Sequence, residues 1–123
     1  ILKHIDMVAG IVAQRYSQTN AVTVSMDKIS FLKPVFVGNV LFVNARVNYV
    51  QKSSMEIEVN VEAEDIAKGT RVHTGNAYVT FVALDDNGKP TTVPTLRIDN
   101  PDDQKRFDEG KLRMERRIKE RKK

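Results

Sequence analysis

The sequence predicts an α+β domain in which one helix is wrapped by a curved antiparallel sheet, with a polar helix at the C-terminal end. Three observations carry that expectation. Apolar residues recur at helical spacing from Ile1 to Tyr16, several stretches between 21 and 84 alternate as strands do, and residues 102–123 are charged throughout. A chain of 123 residues is the size of a single domain.

The first helix follows from Ile1, Leu2, Ile5, Val8, Ala9, Val12, Ala13 and Tyr16, which fill an arc of roughly 140° at 100° per residue. Met7 and Ile11 fall outside that arc, so the helix is apolar on more than one side and is expected to be largely buried. Gly10 in mid-helix costs about 1 kcal/mol against alanine, which points to another backbone or a ligand passing close by.

Strands come next. Over 21–31, Val22, Val24 and Met26 share one face while Ile29 and Phe31 take the other, and a bulge near Asp27–Lys28 would explain the switch. Lys33-Pro34 and Gly38-Asn39 mark a loop. Residues 40–50 then alternate with Leu41, Val43, Ala45, Val47 and Tyr49 inward, and Gln51–Ser53 turn the chain. Met55, Ile57, Val59, Val61 and Ala63 alternate with Glu56, Glu58, Asn60 and Glu62, the pattern of a strand with one wet face. A long strand over 71–84 ends at Asp86-Asn87-Gly88-Lys89-Pro90, a strong turn signal.

The last helix opens at Asn100-Pro101-Asp102-Asp103, with Asn100 suited to the N-cap, Pro101 to the first turn and the aspartates to the positive end of the dipole. Its few apolar residues (Phe107, Leu112, Met114, Ile118) predict that it frays or packs only at its start. Helix first, long strands after, is the order of a hotdog fold. The domain is expected over 1–98, with a charged helix or tail over 99–123. The chain opens at Ile1 already inside a helical pattern, as a piece of a longer polypeptide would.

Composition narrows the function. Without cysteine there is no disulfide scaffold, thiol catalysis or thiolate metal site, and the absence suits a reducing compartment. No apolar run reaches 18 residues, so no membrane insertion is expected. The net charge of +4 comes wholly from residues 102–123. Mixed charges on a terminal helix usually make a solvated face, and no aromatics interleave for base stacking, so no nucleic-acid partner is expected.

Phosphate loops, dinucleotide-type glycine turns and HExxH or CxxC spacings are all absent. His4 and His73 are solitary, and Ser17, Ser25, Ser30, Ser53 and Ser54 lack a nucleophile elbow. Asp6 is the best single candidate. It falls about 20° past the Ala13 edge of the apolar arc, on the side of Gly10. There it is either a solvated surface carboxylate or, half-dry, a general base or nucleophile. It also lies roughly 7–8 Å from the start of the helix, whose free N–H groups could hold a developing oxyanion.

Several stretches carry a resemblance: 2–10 (LKHIDMVAG), 22–27 (VTVSMD), Phe31-Leu32-Lys33-Pro34 with Val37-Gly38, 53–59 (SSMEIEV), 80–85 (TFVALD), Asn87-Gly88-Lys89-Pro90 with Val93-Pro94, and 105–110 (KRFDEG). Across nearly the whole chain, in order, it resembles the hotdog-fold cytosolic acyl-CoA thioester hydrolases of the single-domain bacterial type. Asn39 departs from the aspartate usual after that glycine.

The resemblance implies a cytoplasmic enzyme that hydrolyses fatty acyl-CoA to free acid and CoA. It puts the catalytic aspartate on Asp6, as a base that activates water or as a nucleophile that forms a mixed anhydride. A His-Gly-Gly-like oxyanion turn and an assisting asparagine would lie upstream of Ile1. The turn Lys52, Ser53 and Ser54 would contact CoA, the lysine as a point charge and the hydroxyls as donors. No cofactor is implied beyond the CoA of the substrate itself, and no metal. Subunits are expected to pair as dimers, three of which make a hexamer, with active sites between subunits. The rival readings are a non-catalytic acyl-CoA sensor and a hotdog dehydratase, the latter disfavoured because neither histidine suits a central-helix acid/base.

Overall fold

The computed structural model describes residues 2–26, 30–31 and 38–121. Helix α1 (Leu2–Ser17) leads into strands β1 (Asn20–Met26) and β2 (Ser30–Phe31). Three long strands follow, β3 (Val40–Gln51), β4 (Ser54–Asp65) and β5 (Thr70–Leu84), and the chain ends in helix α2 (Pro101–Arg121). The sheet is antiparallel in the order β1-β5-β4-β3, and β2 extends the β1 edge by pairing with β5. The sheet curves around α1 in the hotdog manner expected, and α2 covers its outer face.

The inner face is built as the alternation in β4 requires. Met55, Ile57, Val59, Val61 and Ala63 point at α1, which answers with Ile5, Ala9 and Ala13, all buried. The alanines let the helix lie close to the sheet. Two parts of the helix differ from expectation. Met7 and Ile11 are 57% and 46% exposed, so α1 buries one stripe and leaves an apolar pair in solvent. A Cβ on Gly10 would meet only the Phe81 ring, at 3.8 Å, an ordinary contact. Among the described residues, no close backbone demands that glycine. The helix stops at Gln18 in the left-handed region (φ 56°), a position a glycine would usually mark.

Two register shifts redirect side chains that simple alternation assigned elsewhere. In β1 the shift lies between Thr23 and Ser25. Val22 and Val24 are therefore exposed on the outer side, while Met26 packs on the core, so the three do not share a face. The bulge expected at Asp27–Lys28 and the turn at Lys33-Pro34 lie outside the described residues. In β3 the shift falls between Val47 and Tyr49. Leu41, Val43, Ala45 and Val47 pack inward as predicted, but beyond the shift Val50 takes the inner side. Tyr49 is buried on the outer face instead, edge-on to Phe107 of α2 with ring centroids 4.8 Å apart.

That outer face is not wet along its length. Glu56, with 2% of its side chain exposed, receives Nε and Nη2 of Arg113 at 2.9 and 2.7 Å. The Arg113 guanidinium stacks 3.7 Å over the Tyr78 ring, and Arg117 donates to the Thr80 hydroxyl. Burial works against the charge on Arg113, but the hydrogen bonds and negative charge of Glu56 outweigh it, and the guanidinium is held charged more firmly than a free arginine.

Helix α2 thus packs along its middle, through Phe107, Gly110, Arg113 and Met114, rather than at its start alone. Gly110 makes this possible, since a Cβ there would sit 2.8 Å from the Tyr49 Cβ. The expected cap is in place: Asn100 Oδ1 accepts the Asp103 N–H at 2.8 Å. The turn after β5 also forms as read, with Asp85 Oδ1 accepting the N–H groups of Asn87 and Lys89 and Gly88 at φ 76°.

Candidate active site

Asp6 projects from the second turn of α1 toward β1. Thr23 lies opposite Phe81 in the ladder, so its side chain faces the helix as the Phe81 ring does. Its hydroxyl donates to Asp6 Oδ1 at 3.0 Å. The register shift begins directly after Thr23 and leaves Val24 as the extra residue, a local kink of the kind that re-aims side chains at functional sites. Among the described residues, this is the hydrogen bond that orients the carboxylate, and it engages Oδ1. A carboxylate so held can accept a proton from water or attack an electrophilic carbon.

Asp6 and Thr23 are both exposed in the single chain, so the half-dry setting expected for Asp6 is not supplied by this chain's own packing. Met7, its exposed neighbour, adds apolar surface beside the pair.

Lys52 and Ser53 form the turn that joins β3 to β4, and Ser54 opens β4. Lys52 occupies the left-handed region at φ 53°, held there by backbone bonds from Val93 N to Lys52 O at 2.8 Å and from Ala83 N to Ser53 O at 2.9 Å. Its side chain is exposed. Ser54 aligns with Val82 and, one strand on, Val22, and it lines a cleft of about 170 Å³ with Val24, Thr80 and Met114. That cleft is on the outer face, whereas Asp6 and Thr23 meet on the inner one. The chain does not bring Ser54 to Asp6.

Of the remaining sequence candidates, His4 and His73 are exposed, and the Ser17 hydroxyl is spent on the Ala13 carbonyl at 2.8 Å. Among the described residues no group of three or more His, Cys, Asp or Glu side chains is arranged to hold a metal, and no helix is long and apolar enough to cross a membrane. Thr23 was not foreseen as a partner of Asp6. A hydroxyl within a β-rich run was the only signal, and a contact 17 residues away is set by tertiary structure.

Residues 1–70 match the thioesterase superfamily. The cytosolic acyl coenzyme A thioester hydrolase of Rattus norvegicus is 41% identical over 114 residues, 91% of this chain but 30% of the rat protein. The chain therefore spans about a third of the length of that relative. Among solved structures, the acyl-CoA hydrolase of Staphylococcus aureus with butyryl coenzyme A, coenzyme A and coenzyme A disulfide superposes with a TM-score of 0.88 at 36% identity, over 98% of this chain and 73% of that one. Two further structures of that enzyme carry an aspartate-to-alanine and a threonine-to-alanine substitution, spaced by the same 17 positions that separate Asp6 from Thr23. The hexameric thioesterase y2039 of Yersinia pestis gives a TM-score of 0.70 at 35% identity, over 76% of this chain and 78% of that one.

Proposed function

The chain belongs to the thioesterase superfamily, as a member of its hotdog-fold acyl-CoA thioester hydrolases, and on that premise we propose that it hydrolyses acyl-CoA to a free acid and CoA with Asp6 as the reacting carboxylate. The observation that carries this reading is the Thr23–Asp6 hydrogen bond of 3.0 Å. It is supported by the equal spacing of the aspartate and threonine that were replaced in the Staphylococcus aureus enzyme.

Two courses are open to Asp6, and both balance. As a base, it takes a proton from water while the hydroxide attacks the thioester carbon; the C–S bond breaks, and the proton passes to the leaving thiolate. As a nucleophile, a carboxylate oxygen attacks that carbon directly, the thiolate leaves, and water then opens the mixed anhydride. Thr23 serves either course by fixing the carboxylate's rotamer. Polarisation of the carbonyl would fall to backbone N–H groups at the head of α1.

The exposed Asp6, Met7 and Ile11 favour a site completed by a second copy of the chain. Covering Met7 and Ile11 would bury apolar surface and dry the carboxylate together. A dimer, with three dimers in a hexamer, is the assembly proposed. Lys52 and Ser53, at the exposed end of the β3–β4 turn, are proposed to meet the CoA phosphates, and Ser54 to contribute a hydroxyl from the outer face.

The test is hydrolysis of acyl-CoAs of several chain lengths by the full gene product, followed through the released thiol. Asp6→Ala should lower turnover at least about 100-fold, the scale of losing a general base, with the oligomeric state unchanged. Thr23→Ala should lower kcat less, roughly tenfold, as for one lost hydrogen bond to a charged group. Equal activity in Asp6→Ala would make the carboxylate structural. A wild type that binds acyl-CoA tightly without turnover would make the protein a sensor. A single turnover in ¹⁸O-labelled water tests the anhydride course, because label found in Asp6 requires that water opened an anhydride at the Asp6 carbonyl.

A further inference from the structure

On the face of the sheet opposite Asp6, two adjoining clefts lie between the first half of α2 and strands β3–β5. The larger, of about 310 Å³, is lined by Asn48, Glu58 and Tyr78 from the sheet and by charged residues of α2. The smaller, of about 170 Å³, shares Asn48 and Arg106 with it and adds Arg46 and Arg97.

Asn48 stands at the register shift in β3 and is 2% exposed. Its Nδ2 donates to Glu58 Oε1 at 2.9 Å, while Oδ1 is buried without a hydrogen-bond partner. Turning the amide over would aim Oδ1 at the Glu58 carboxylate, so Glu58 fixes the orientation and leaves the acceptor orphaned. A buried acceptor in that state is normally met by a donor from ordered water or from a bound ligand. The two clefts also differ in charge. In the larger, Glu58, Asp102 and Glu109 balance Lys105, Arg106 and Arg113. The smaller gathers the guanidinium groups of Arg46, Arg97 and Arg106, of which Arg97 is paired with Asp99 at 2.7 Å and Arg106 with Asp103 at 3.4 Å, so three cations meet two carboxylates there.

We propose that the paired clefts are a second ligand site, which takes a small phosphate monoester bearing hydroxyl groups. The hydroxyls donate to Asn48 Oδ1 and Glu58 in the larger cleft, and the phosphate lies against Arg46, Arg97 and Arg106 in the smaller. Arginine is suited to that task because its planar fork matches phosphate oxygens. The same chemistry is offered by a free sugar phosphate and by the ribose phosphate of CoA.

Calorimetric titration of the full protein with ribose 5-phosphate and with inorganic phosphate tests the site. Ribose 5-phosphate should bind roughly tenfold more tightly, the worth of one or two satisfied hydrogen bonds. Arg46→Ala and Arg97→Ala, at exposed positions that leave the core intact, should each weaken both ligands. Asn48→Ser, checked for an unchanged melting temperature, should abolish the advantage of the sugar phosphate and leave inorganic phosphate as before. Displacement of ribose 5-phosphate by CoA would identify the substrate's own nucleotide end as the occupant, and failure to displace it a free metabolite. The proposal is overturned if neither probe binds at millimolar concentration, if both bind equally, or if the arginine variants bind as wild type.

Discussion

Helices α1 and α2 cover opposite faces of one sheet and are held there by different chemistry. Under α1 the contacts are apolar, with Ile5, Ala9 and Ala13 set against Met55, Ile57, Val59, Val61 and Phe81. Under α2 they are a buried ion pair, a guanidinium over a tyrosine ring and a glycine against a strand. Apolar packing tolerates small changes of shape because it is non-directional. A buried charge tolerates no loss of its partner. The inner face should therefore yield by degrees and the outer face abruptly.

The largest effect is expected from Arg113→Ala. It strands the Glu56 carboxylate in a site with 2% side-chain exposure, and losses of about 3–5 kcal/mol follow when one member of a buried pair is removed. Urea denaturation should report the loss, and amide exchange should show α2 opening ahead of β4. Protection that fell uniformly through α1 and α2 would erase the distinction between the faces.

The two helix glycines sharpen the comparison. Gly110→Ala forces a Cβ to 2.8 Å from Tyr49 and should destabilise by about 1–3 kcal/mol as α2 is pushed outward. Gly10→Ala meets the Phe81 ring at 3.8 Å and should instead stabilise by up to about 1 kcal/mol. Should Gly10→Ala abolish oligomers or turnover while raising monomer stability, then a partner or substrate lies against that glycine.

The smallest effect is a dependence on alkaline pH. Burial raises the phenols of Tyr16, Tyr49 and Tyr78 above the ordinary value of 10.0, with Glu58 adding to Tyr78 and Glu115 to Tyr49. The unfolded chain thus releases these protons first. Stability should be whole below about pH 10 and decline as pH rises toward the folded-state values. Tyr49 and Tyr78 stand under α2, so replacing both with phenylalanine should flatten the decline more than Tyr16→Phe does.

Much of the inner face was legible because it rests on period alone. The stripe of Ile5, Ala9 and Ala13 and the five inward residues of β4 could be read without knowing any partner. The outer face resisted for a physical reason. Arg113 and Glu56 look like solvated charges until a contact 57 residues away is formed, and Gly110 looks like a helix weakness until its neighbour Tyr49 is known. Tyr49 was misassigned because the register shift at Asn48 has no sequence mark. The candidate site divides likewise: Asp6 stood out by its place on the helix, while Thr23 became visible only when β1 was laid beside α1.

The strict alternation of β4 also bears on how the chain finds its structure. Slipping β4 by one residue against its neighbours would turn Glu56, Glu58, Asn60 and Glu62 toward α1 and expel Met55, Ile57, Val59 and Val61. No intermediate register is a near miss. A nascent β3–β4 hairpin in the wrong register would gain so little from collapse onto α1 that it should dissolve before it could become a kinetic trap.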